Sequence, residues 1–175
     1  MNGYLSLGSN LGNRLNYLIA ALDALNNHGV KILKNSSIYE TKASEVDMSQ
    51  PRYLNIVLRI STKASPFELL DICHKLEKSL GRKRPYKHSP RTIDIDILML
   101  DDIYLNTPSL IVPHPRMELR AFVIYPLYEI APELILPSGK HILEVKKTFD
   151  NAEILAIWKI QDEDLKQQKK KDYSS

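Results

Sequence analysis

Two successive strand–helix–strand patterns most constrain what this chain can fold into. Four segments have the apolar content and alternation of strands, and two stretches with helical spacing lie between them. The predicted strands cover residues 3–8, 30–40, 53–61 and 92–100. Helices in such an order pack on the faces of one sheet. The pattern therefore predicts an α+β fold, a ferredoxin-like α/β sandwich with a mainly antiparallel sheet and helices packed on its faces.

Length and composition predict one domain followed by a helix and a tail. The 175 residues are 43% hydrophobic and 26% charged, as is usual for a globular protein that buries a core. We expect a single domain over residues 1–150, a C-terminal helix over residues 151–168 packed on it, and a polar, frayed tail over residues 169–175. The single cysteine, Cys73, has apolar neighbours at helical spacing and is interpreted as a core residue.

Charge and hydropathy indicate which classes of binding partner to expect. The net charge of +3 does not by itself predict binding to nucleic acid. No apolar run approaches the length that spans a bilayer, and the first residues lack the pattern of a signal peptide. We expect a cytoplasmic protein without a nucleic-acid or membrane partner, and we expect it to be a monomer.

Two carboxylates, Asp94 and Asp96, alternate with isoleucines in a run that begins with Thr92 and ends with Leu98. In a strand both carboxylates point to one face, and the flanking isoleucines point to the other. Like charges this close repel and raise one pKa unless a positive charge intervenes. Ligand sets made only of oxygen suit Mg²⁺. The pair therefore predicts a magnesium site, with an edge strand that has a wet, charged face as the alternative.

A basic loop precedes this strand. Residues 81–91 contain one glycine, two prolines and a series of cations that includes Arg82, Arg84 and Arg91. Guanidinium groups bind phosphate oxygens in a bidentate manner, and a loop of this kind can close over a polyphosphate. A solvated surface loop is the alternative, but the position directly before the carboxylates favours phosphate binding.

A third polar cluster spans residues 112–122. His114 lies between two prolines, and Arg116 and Arg120 share a face if this stretch is helical. We interpret His114 and Arg120 as phosphate contacts. For Arg116, phosphate binding and an ion pair with Glu118 on a helix surface are equally compatible with the sequence.

Tyr53 and Asn55 point to the same side of their predicted strand. A tyrosine ring can stack on a flat heterocycle, and an amide offers both a donor and an acceptor to the polar edge of that heterocycle. A strand face covered by a helix would have a similar sequence. The pair on its own therefore indicates a heterocycle site only weakly.

In combination, these motifs resemble those of the 6-hydroxymethyl-7,8-dihydropterin pyrophosphokinase family of folate synthesis. The resemblance covers roughly residues 3–137. It depends on residues 7–12, 51–55, 80–82, 90–98, 112–117 and 120–122, in order and with compatible spacing. It implies a small α/β enzyme whose catalytic domain transfers the pyrophosphate of ATP to the hydroxymethyl group of the pterin and releases AMP.

The resemblance also implies roles for particular residues. Asp94 and Asp96 match the ligands of two Mg²⁺ ions that bridge the ATP phosphates. The positions that contact ATP or close over it match Arg82, Arg84, Arg91, His114 and Arg120; of these, Arg82 and Arg91 are expected to be catalytic, together with the two aspartates. The pterin pocket matches Gly8, Thr41, Tyr53, Asn55 and Phe122, in which the two rings enclose the pterin and the Asn55 amide hydrogen-bonds to it.

Three positions depart from the family pattern. His88 and Ser89 replace a frequent Trp-Gly pair, Lys42 replaces a frequent proline after Thr41, and His74 replaces a glutamine seen in some relatives. None of these changes removes an expected metal or phosphate ligand. The first predicts a differently gated lid over the substrates.

Two other functions are compatible with parts of the sequence. Nucleotidyltransferases also combine Gly-Ser with an Asp-x-Asp pair, but there the pair follows closely, whereas more than eighty residues separate Gly8-Ser9 from Asp94 here. Ferredoxin-like sheets also bind RNA through aromatic residues. The closely spaced aromatic motif of that class is absent from these strands.

Overall fold

An antiparallel sheet of six strands is the centre of the part of the chain that the structure describes. The structure is a computed structural model and describes residues 1–43, 50–81 and 90–160. The strands in chain order are β1 (Asn2–Ser9), β2 (Val30–Asn35), β3 (Ile38–Thr41), β4 (Tyr53–Thr62), β5 (Asp94–Leu100), β6 (Leu105–Asn106), β7 (Ile111–Val112) and β8 (Ile154–Trp158). The helices are α1 (Arg14–Asn27), α2 (Pro66–Ser79), α3 (Ala121–Ile130) and α4 (Ile142–Lys146), with short 3-10 helices at Met117–Leu119 and Asn151–Glu153.

Strand β1 lies inside the sheet, where it pairs with β4 on one side and with β5 on the other. The order is β5-β1-β4-β3-β8, and β2 also pairs with β4, while β6 and β7 form a separate small sheet. All of these pairings are antiparallel. The predicted α+β class, with a mainly antiparallel ferredoxin-like sheet and helices packed on it, is therefore confirmed.

The sheet buries a different core on each face. Leu54, Ile56 and Leu58 of β4 pack in one core with apolar residues of α1 and α2, whereas Val57 packs in a second core with α3 and α4. Strand alternation causes this division, because neighbouring residues of β4 point to opposite faces. Among the described residues, no helix is both long enough and apolar enough to cross a membrane.

Local hydrogen bonds determine where α1 and α2 begin. The Ser65 hydroxyl accepts from the Glu68 N–H at 3.3 Å, and the Glu68 carboxylate accepts from the Ser65 N–H at 2.7 Å. This is a capping box. Asn13 Oδ1 accepts from the Asn16 N–H at 3.2 Å at the start of α1. Caps of this kind stabilise a helix by about 1 kcal/mol each.

The predicted strand over residues 30–40 is in fact two strands, β2 and β3. The Ser36 hydroxyl accepts from the Val57 N–H at 3.0 Å and so replaces a main-chain partner at the break. Tyr39 is four positions after Asn35, but its partner Asn55 is only three positions before Leu58, the partner of Asn35. The extra residue is accommodated as a bulge, which alternation in the sequence does not reveal.

The prediction of a helix over residues 151–168 is wrong for the described part of that range. Asn151–Glu153 form a 3-10 helix, and Ile154–Trp158 form β8, which pairs antiparallel with β3. A short apolar run fits helical and extended spacing equally well. Here the run forms a strand because it pairs with the edge of β3. The remainder of the predicted helix from residue 161, and the predicted tail, lie outside the described residues.

Candidate active site

One row of paired residues crosses the sheet and brings the predicted site residues together. Gly8 of β1 lies opposite Asn55 of β4 on one side and opposite Asp94 of β5 on the other. Directly paired residues of antiparallel strands point to the same face. Two strand spacings separate the backbones at Asn55 and Asp94 by about 10 Å, so a ligand of moderate size could touch both.

The Asn55 side of this row is a neutral surface, which we call the neutral wall (Gly8, Thr41, Tyr53 and Asn55). Asn55 is only 3% exposed. Its Nδ2 donates to Thr41 Oγ1 at 2.9 Å and to the Tyr39 carbonyl at 3.4 Å. Because a carbonyl only accepts, these contacts define which end of the amide is nitrogen. The amide is therefore held in one orientation before any ligand binds.

Gly8 leaves space for a ligand beside the Asn55 amide oxygen. A Cβ atom at this position would lie 3.1 Å from Asn55 Oδ1 and 3.6 Å from the Tyr53 ring. The absent side chain thus keeps an acceptor and an aromatic ring accessible from the same volume. This combination suits a flat heterocycle with a polar edge.

The Asp94 side of the row is charged, and we call it the carboxylate edge (Arg91, Asp94, Asp96 and Arg120). Arg91 forms an ion pair with Asp94, and Arg120 Nη1 lies 3.4 Å from Asp96 Oδ2. The side chains of Asp94 and Asp96 are 18% and 37% exposed. The two carboxylates share one face of β5, as their spacing predicts, and each lies beside an arginine.

Arg120 also links this edge to an aromatic residue. Its guanidinium carbon lies 5.5 Å from the centroid of the Phe122 ring, within the range of a cation–π contact. Arg120 precedes α3 and Phe122 lies in its first turn. Arg116 and Arg120 do not lie on one continuous helix, because the 3-10 helix ends at Arg120 before α3 begins.

His114 is a neutral donor at the carboxylate edge. Burial and the nearby positive charge of Arg120 lower its pKa to about 4. The Arg116 N–H donates to His114 Nδ1 at 3.1 Å, so the proton of the neutral ring is on Nε2. The main-chain N–H of His114 donates to the Leu98 carbonyl of β5 at 2.8 Å. The ring can therefore donate one hydrogen bond to an anion without carrying a charge.

A cavity of about 280 Å³ adjoins this edge between β5, α2 and the segment before β7. Its lining includes His74, Glu77, Asp94, Asp96, Leu110 and His114. Glu77 is 4% exposed, and its Oε1 accepts from the Ile95 N–H of β5 at 2.8 Å. This contact ties α2 to the carboxylate strand. The cavity provides space for an elongated ligand that extends away from the neutral wall.

Cys73 is a core residue, as the sequence indicates. It is fully buried, and burial, together with the nearby Glu77 carboxylate, raises the pKa of its thiol to about 12. A thiol with such a pKa is protonated at neutral pH and is a poor nucleophile.

The donor set of the carboxylate edge fits Mg²⁺. This ion binds to one or two protein carboxylates and completes its shell with water and phosphate oxygens. Asp94 and Asp96 supply such a pair on one strand face. Within the described ranges no cluster of three or more histidine, cysteine, aspartate or glutamate side chains is placed to hold a metal ion.

The structure places most of the predicted site residues around one sheet face. Those that it describes are Gly8, Thr41, Tyr53, Asn55, Arg91, Asp94, Asp96, His114, Arg120 and Phe122. Arg82 and Arg84 lie outside the described residues, as do His88 and Ser89.

Two contributors to the site were not predicted from the sequence. The main-chain carbonyl of Tyr39 accepts a hydrogen bond from the Asn55 amide. Because any residue type has such a carbonyl, the sequence gives no sign of this contact. Asn10 hydrogen-bonds to residues about 40 and 80 positions away. Only the fold brings these partners together.

Comparison with known proteins identifies the class to which this fold and site belong. The sequence matches the family described as "7,8-dihydro-6-hydroxymethylpterin-pyrophosphokinase (HPPK)" over residues 4–132. This range covers most of the chain and contains the neutral wall, the carboxylate edge, β1 from Tyr4 onward and β2 to β7. The chain belongs to this family.

Curated relatives from several bacteria support this membership. The 2-amino-4-hydroxy-6-hydroxymethyldihydropteridine pyrophosphokinase of Aquifex aeolicus (strain VF5) is 46% identical over 134 residues, which cover 77% of this chain and 82% of the relative. The protein of the same name from Bacillus subtilis (strain 168) is 44% identical over 132 residues, 75% of this chain and 78% of the relative. That of Haemophilus influenzae is 36% identical over 158 residues, 90% and 98% of the two chains.

Solved structures share the fold. A structure described as "Crystal Structure Analysis of the HPPK-DHPS in complex with substrates" superposes with a TM-score of 0.68 at 15% identity, over 84% of this chain and 43% of the other. The Plasmodium falciparum HPPK-DHPS superposes with a TM-score of 0.62 at 17% identity, over 84% and 43%. This chain thus spans less than half the length of those chains.

Proposed function

We propose that this protein transfers the pyrophosphoryl group of ATP to 6-hydroxymethyl-7,8-dihydropterin in a reaction that depends on two Mg²⁺ ions. The products are AMP and the pterin diphosphate, a precursor of tetrahydrofolate. Membership of the pyrophosphokinase family supports the reaction. The observation that carries the assignment of sites is the row Asn55–Gly8–Asp94, because it joins a heterocycle surface to a carboxylate pair on one face.

The neutral wall is proposed to bind the pterin. The Asn55 oxygen and the Tyr53 ring are accessible beside Gly8, and Thr41 orients the amide. A pterin has a flat ring and an edge with donors and acceptors, and buried polar groups that match such an edge discriminate strongly between ligands. Phe122, in the first turn of α3, is proposed as the second ring that contacts the pterin.

The carboxylate edge and the adjoining cavity are proposed to bind ATP. Arg91 and Arg120 carry positive charge next to the carboxylates, and His114 contributes a neutral Nε2 donor. Arginine forks suit phosphate oxygens. Arg82 and Arg84 are proposed to act on the same phosphates from the loop that precedes Arg91, and Arg82 and Arg91 to be catalytic.

Asp94 and Asp96 are proposed to hold the two Mg²⁺ ions together with phosphate oxygens of ATP. When bound, the ions neutralise phosphate charge and orient the chain of phosphates. The acidic pair does not exclude other divalent ions, but oxygen-only ligands favour Mg²⁺ among those available in cells.

In the transfer step, the hydroxymethyl oxygen of the pterin forms a bond to the β-phosphorus and its proton passes to solvent water. The bond between the β-phosphorus and the oxygen that bridges to the α-phosphorus breaks, and AMP leaves with that oxygen. Phosphoryl chemistry of this kind depends on positioning and on stabilising charge rather than on covalent help from the protein. Arg91 and Arg120 offset the charge that grows on the leaving oxygen.

We further propose that the protein acts as a cytoplasmic monomer. The family's substrates, ATP and a reduced pterin, are small soluble metabolites, and the described helices include no membrane span. Light scattering after size exclusion tests the monomer, with a mass near 20 kDa expected and about twice that value contradicting it.

Product analysis tests the proposed reaction. The purified protein is incubated with MgCl₂, ATP and 6-hydroxymethyl-7,8-dihydropterin, and the products are separated by chromatography. Formation of AMP and pterin diphosphate in equal amounts is the expected result, and omission of Mg²⁺ with added EDTA should abolish it. Release of pyrophosphate with a nucleotidylated product would instead indicate a nucleotidyltransferase. Salt-dependent RNA binding with no ATP turnover would indicate an RNA-binding module.

A further inference from the structure

Asn10 hydrogen-bonds through its side chain to two segments, one beside the neutral wall and one at the carboxylate edge. It directly follows β1, the strand between β4 and β5, and it is 1% exposed. Its partners lie on the segments that lead into those two neighbouring strands. A residue at the end of the middle strand can therefore contact both neighbours at once.

Toward the carboxylate edge, Asn10 and Arg91 form a reciprocal pair. The Asn10 N–H donates to the Arg91 carbonyl at 3.1 Å, and Asn10 Oδ1 accepts from the Arg91 N–H at 2.8 Å. These bonds hold the backbone of the residue whose guanidinium pairs with Asp94. The direction in which Arg91 projects is thus linked to Asn10.

Toward the neutral wall, the same side chain holds the segment before β4. Asn10 Nδ2 lies 3.3 Å from the Pro51 carbonyl and 3.4 Å from Gln50 Oε1. Pro51 precedes Tyr53 by two residues. One amide group therefore uses its oxygen for the carboxylate side and its nitrogen for the pterin side.

We propose that Asn10 is a positioning residue for pyrophosphoryl transfer, which sets the spacing between the pterin on the neutral wall and the phosphates on the carboxylate edge. This inference rests on the proposed function. Transfer requires the attacking oxygen and the phosphorus to be aligned in line, and a misplacement of about 1 Å can lower the rate about 100-fold. Asn10 acts through Arg91 and Pro51 rather than by touching either substrate.

Arg14 provides a comparison with Asn10, because its side chain holds the segment before β4 but makes no contact at the carboxylate edge among the described residues. Arg14 Nη1 donates to the Arg52 carbonyl at 2.8 Å and to Glu40 Oε1 at 3.0 Å. It therefore holds the segment before β4 against β3 and α1. None of its hydrogen bonds among the described residues reaches Arg91. Loss of the Arg14 side chain should loosen only the segment beside the neutral wall. Loss of the Asn10 side chain should change the distance between the neutral wall and the carboxylate edge.

The test compares Asn10→Ala with Ser36→Ala. Ser36 is equally buried, and its hydroxyl makes two hydrogen bonds at the break between β2 and β3, to Val57 and Ser37, neither of which is assigned to the site. Both variants should lose stability. Only Asn10→Ala should lose kcat, by about 10- to 100-fold, while KM for ATP changes about 3-fold or less. Arg14→Met should instead raise KM for the pterin and leave KM for ATP unchanged.

Asn10→Asp keeps the side-chain volume and tests the positioning role of Asn10 if Asn10→Ala does not fold. Its carboxylate can still accept from the Arg91 N–H, but it offers no donor to the Pro51 carbonyl when ionised. A loss of kcat of about 10-fold or more is expected. Wild-type kcat in the folded Asn10 variants would overturn the proposal, and so would an equal loss of kcat in Ser36→Ala.

The wild-type protein in the same assay separates this inference from the proposed function. If it yields no AMP and no pterin diphosphate, the proposed reaction fails. If it is active and the Asn10 variants are equally active, the positioning role fails and the reaction stands.

Discussion

The neutral wall and the carboxylate edge share one sheet face but are stabilised in different ways. In the neutral wall, Asn55 is buried and its amide is held by Thr41 and by a main-chain carbonyl. At the carboxylate edge, Asp94 and Asp96 are partly exposed and each lies beside an arginine. The first surface is rigid and uncharged, whereas the second consists of charges that can exchange partners.

This difference indicates how the two surfaces contribute to function. A hydrogen-bonded wall discriminates between ligands in the ground state, because its polar groups lose their partners when the wrong ligand binds. A set of charges contributes most where the ligand's own charge changes, which is in the transition state. Substitutions in the wall should therefore change affinity for the pterin, and substitutions at the edge should change turnover.

The largest effect is expected for Asp96→Asn, which removes a charge and keeps the side-chain volume. We predict a fall in kcat of about 1,000-fold, or about 4 kcal/mol, because phosphate charge is no longer neutralised. Steady-state production of AMP measures it. Asp102→Asn, at an exposed position in the turn after β5, is the matched control and should retain wild-type activity. Wild-type turnover in Asp96→Asn would remove the basis for a metal role.

Arg91→Ala should lower kcat by about 100-fold, since it removes a positive charge close to the transferred group. The neutral wall is not altered, so the dissociation constant of the pterin should change little. Stopped-flow measurement of product formation, combined with pterin titration, checks both statements. An unchanged rate would show that Arg91 only balances the charge of Asp94 within the fold.

Asn55→Ala should weaken pterin binding by about 10- to 100-fold, as expected when a buried hydrogen-bonding group loses its role in recognition. Affinity for ATP should not change, because the carboxylate edge is intact. Calorimetric titration with each ligand measures the two constants. If ATP affinity fell as much as pterin affinity, the division of the face into two surfaces would be wrong.

Gly8→Ala tests the space beside the Asn55 oxygen with a smaller perturbation. The added Cβ would lie 3.1 Å from Asn55 Oδ1, which is close enough to obstruct a ligand but leaves the amide in place. We expect KM for the pterin to rise about 3- to 10-fold with kcat nearly unchanged. An unaltered KM would indicate that the pterin binds away from Gly8.

The last prediction concerns stability rather than catalysis: the pH dependence that His114 gives to folding. Its pKa is lowered from its ordinary value to about 4, so between about pH 4 and 6.5 the unfolded chain binds a proton that the folded chain does not. Stability is therefore present above about pH 6.5 and is lost as the pH falls toward 4, by up to about 2 kcal/mol.

Thermal unfolding of His114→Gln at several pH values between 4 and 7.5 measures this contribution. The variant should lose less stability on acidification than the wild type does. His28→Gln, at an exposed helix end, is the control and should follow the wild-type curve. Parallel curves for His114→Gln and the wild type would contradict the assignment of a buried, neutral imidazole.

Alternation allowed much of the fold to be predicted, because it is a local signal. The predicted strands over residues 3–8, 53–61 and 92–100, and the two helices that lie between predicted strands, follow from residue order within short windows. The strand predicted over residues 92–100 was expected to have both carboxylates on one face, and β5 (Asp94–Leu100) has them there. Such features depend on neighbours in sequence.

Features that depend on distant partners could not be predicted. The bulge at Ser36 exists because its hydroxyl meets the Val57 N–H, and β8 is a strand because the edge of β3 is available to it. The amide of Asn10 has partners about 40 and 80 positions away. In each case the residue type permits several structures, and a tertiary contact selects one of them.

The proposed pterin site was indicated weakly by Tyr53 and Asn55 alone and more strongly once the family motifs were considered together. The structure adds the reason for Gly8, which neither alternation nor charge explains: any side chain there would crowd the Asn55 oxygen. The roles assigned to Arg82 and Arg84 remain predictions, since both lie outside the described residues.

The central claim is that one sheet face divides into a surface for pterin affinity and a surface for turnover. Calorimetric titration of oxidised 6-hydroxymethylpterin, which has the same ring edge, into Asp96→Asn and Asn55→Ala tests this most directly. We predict that Asp96→Asn binds this ligand with wild-type affinity and that Asn55→Ala binds it at least about 10-fold more weakly. Equal losses in the two variants, or full affinity in Asn55→Ala, would contradict the claim.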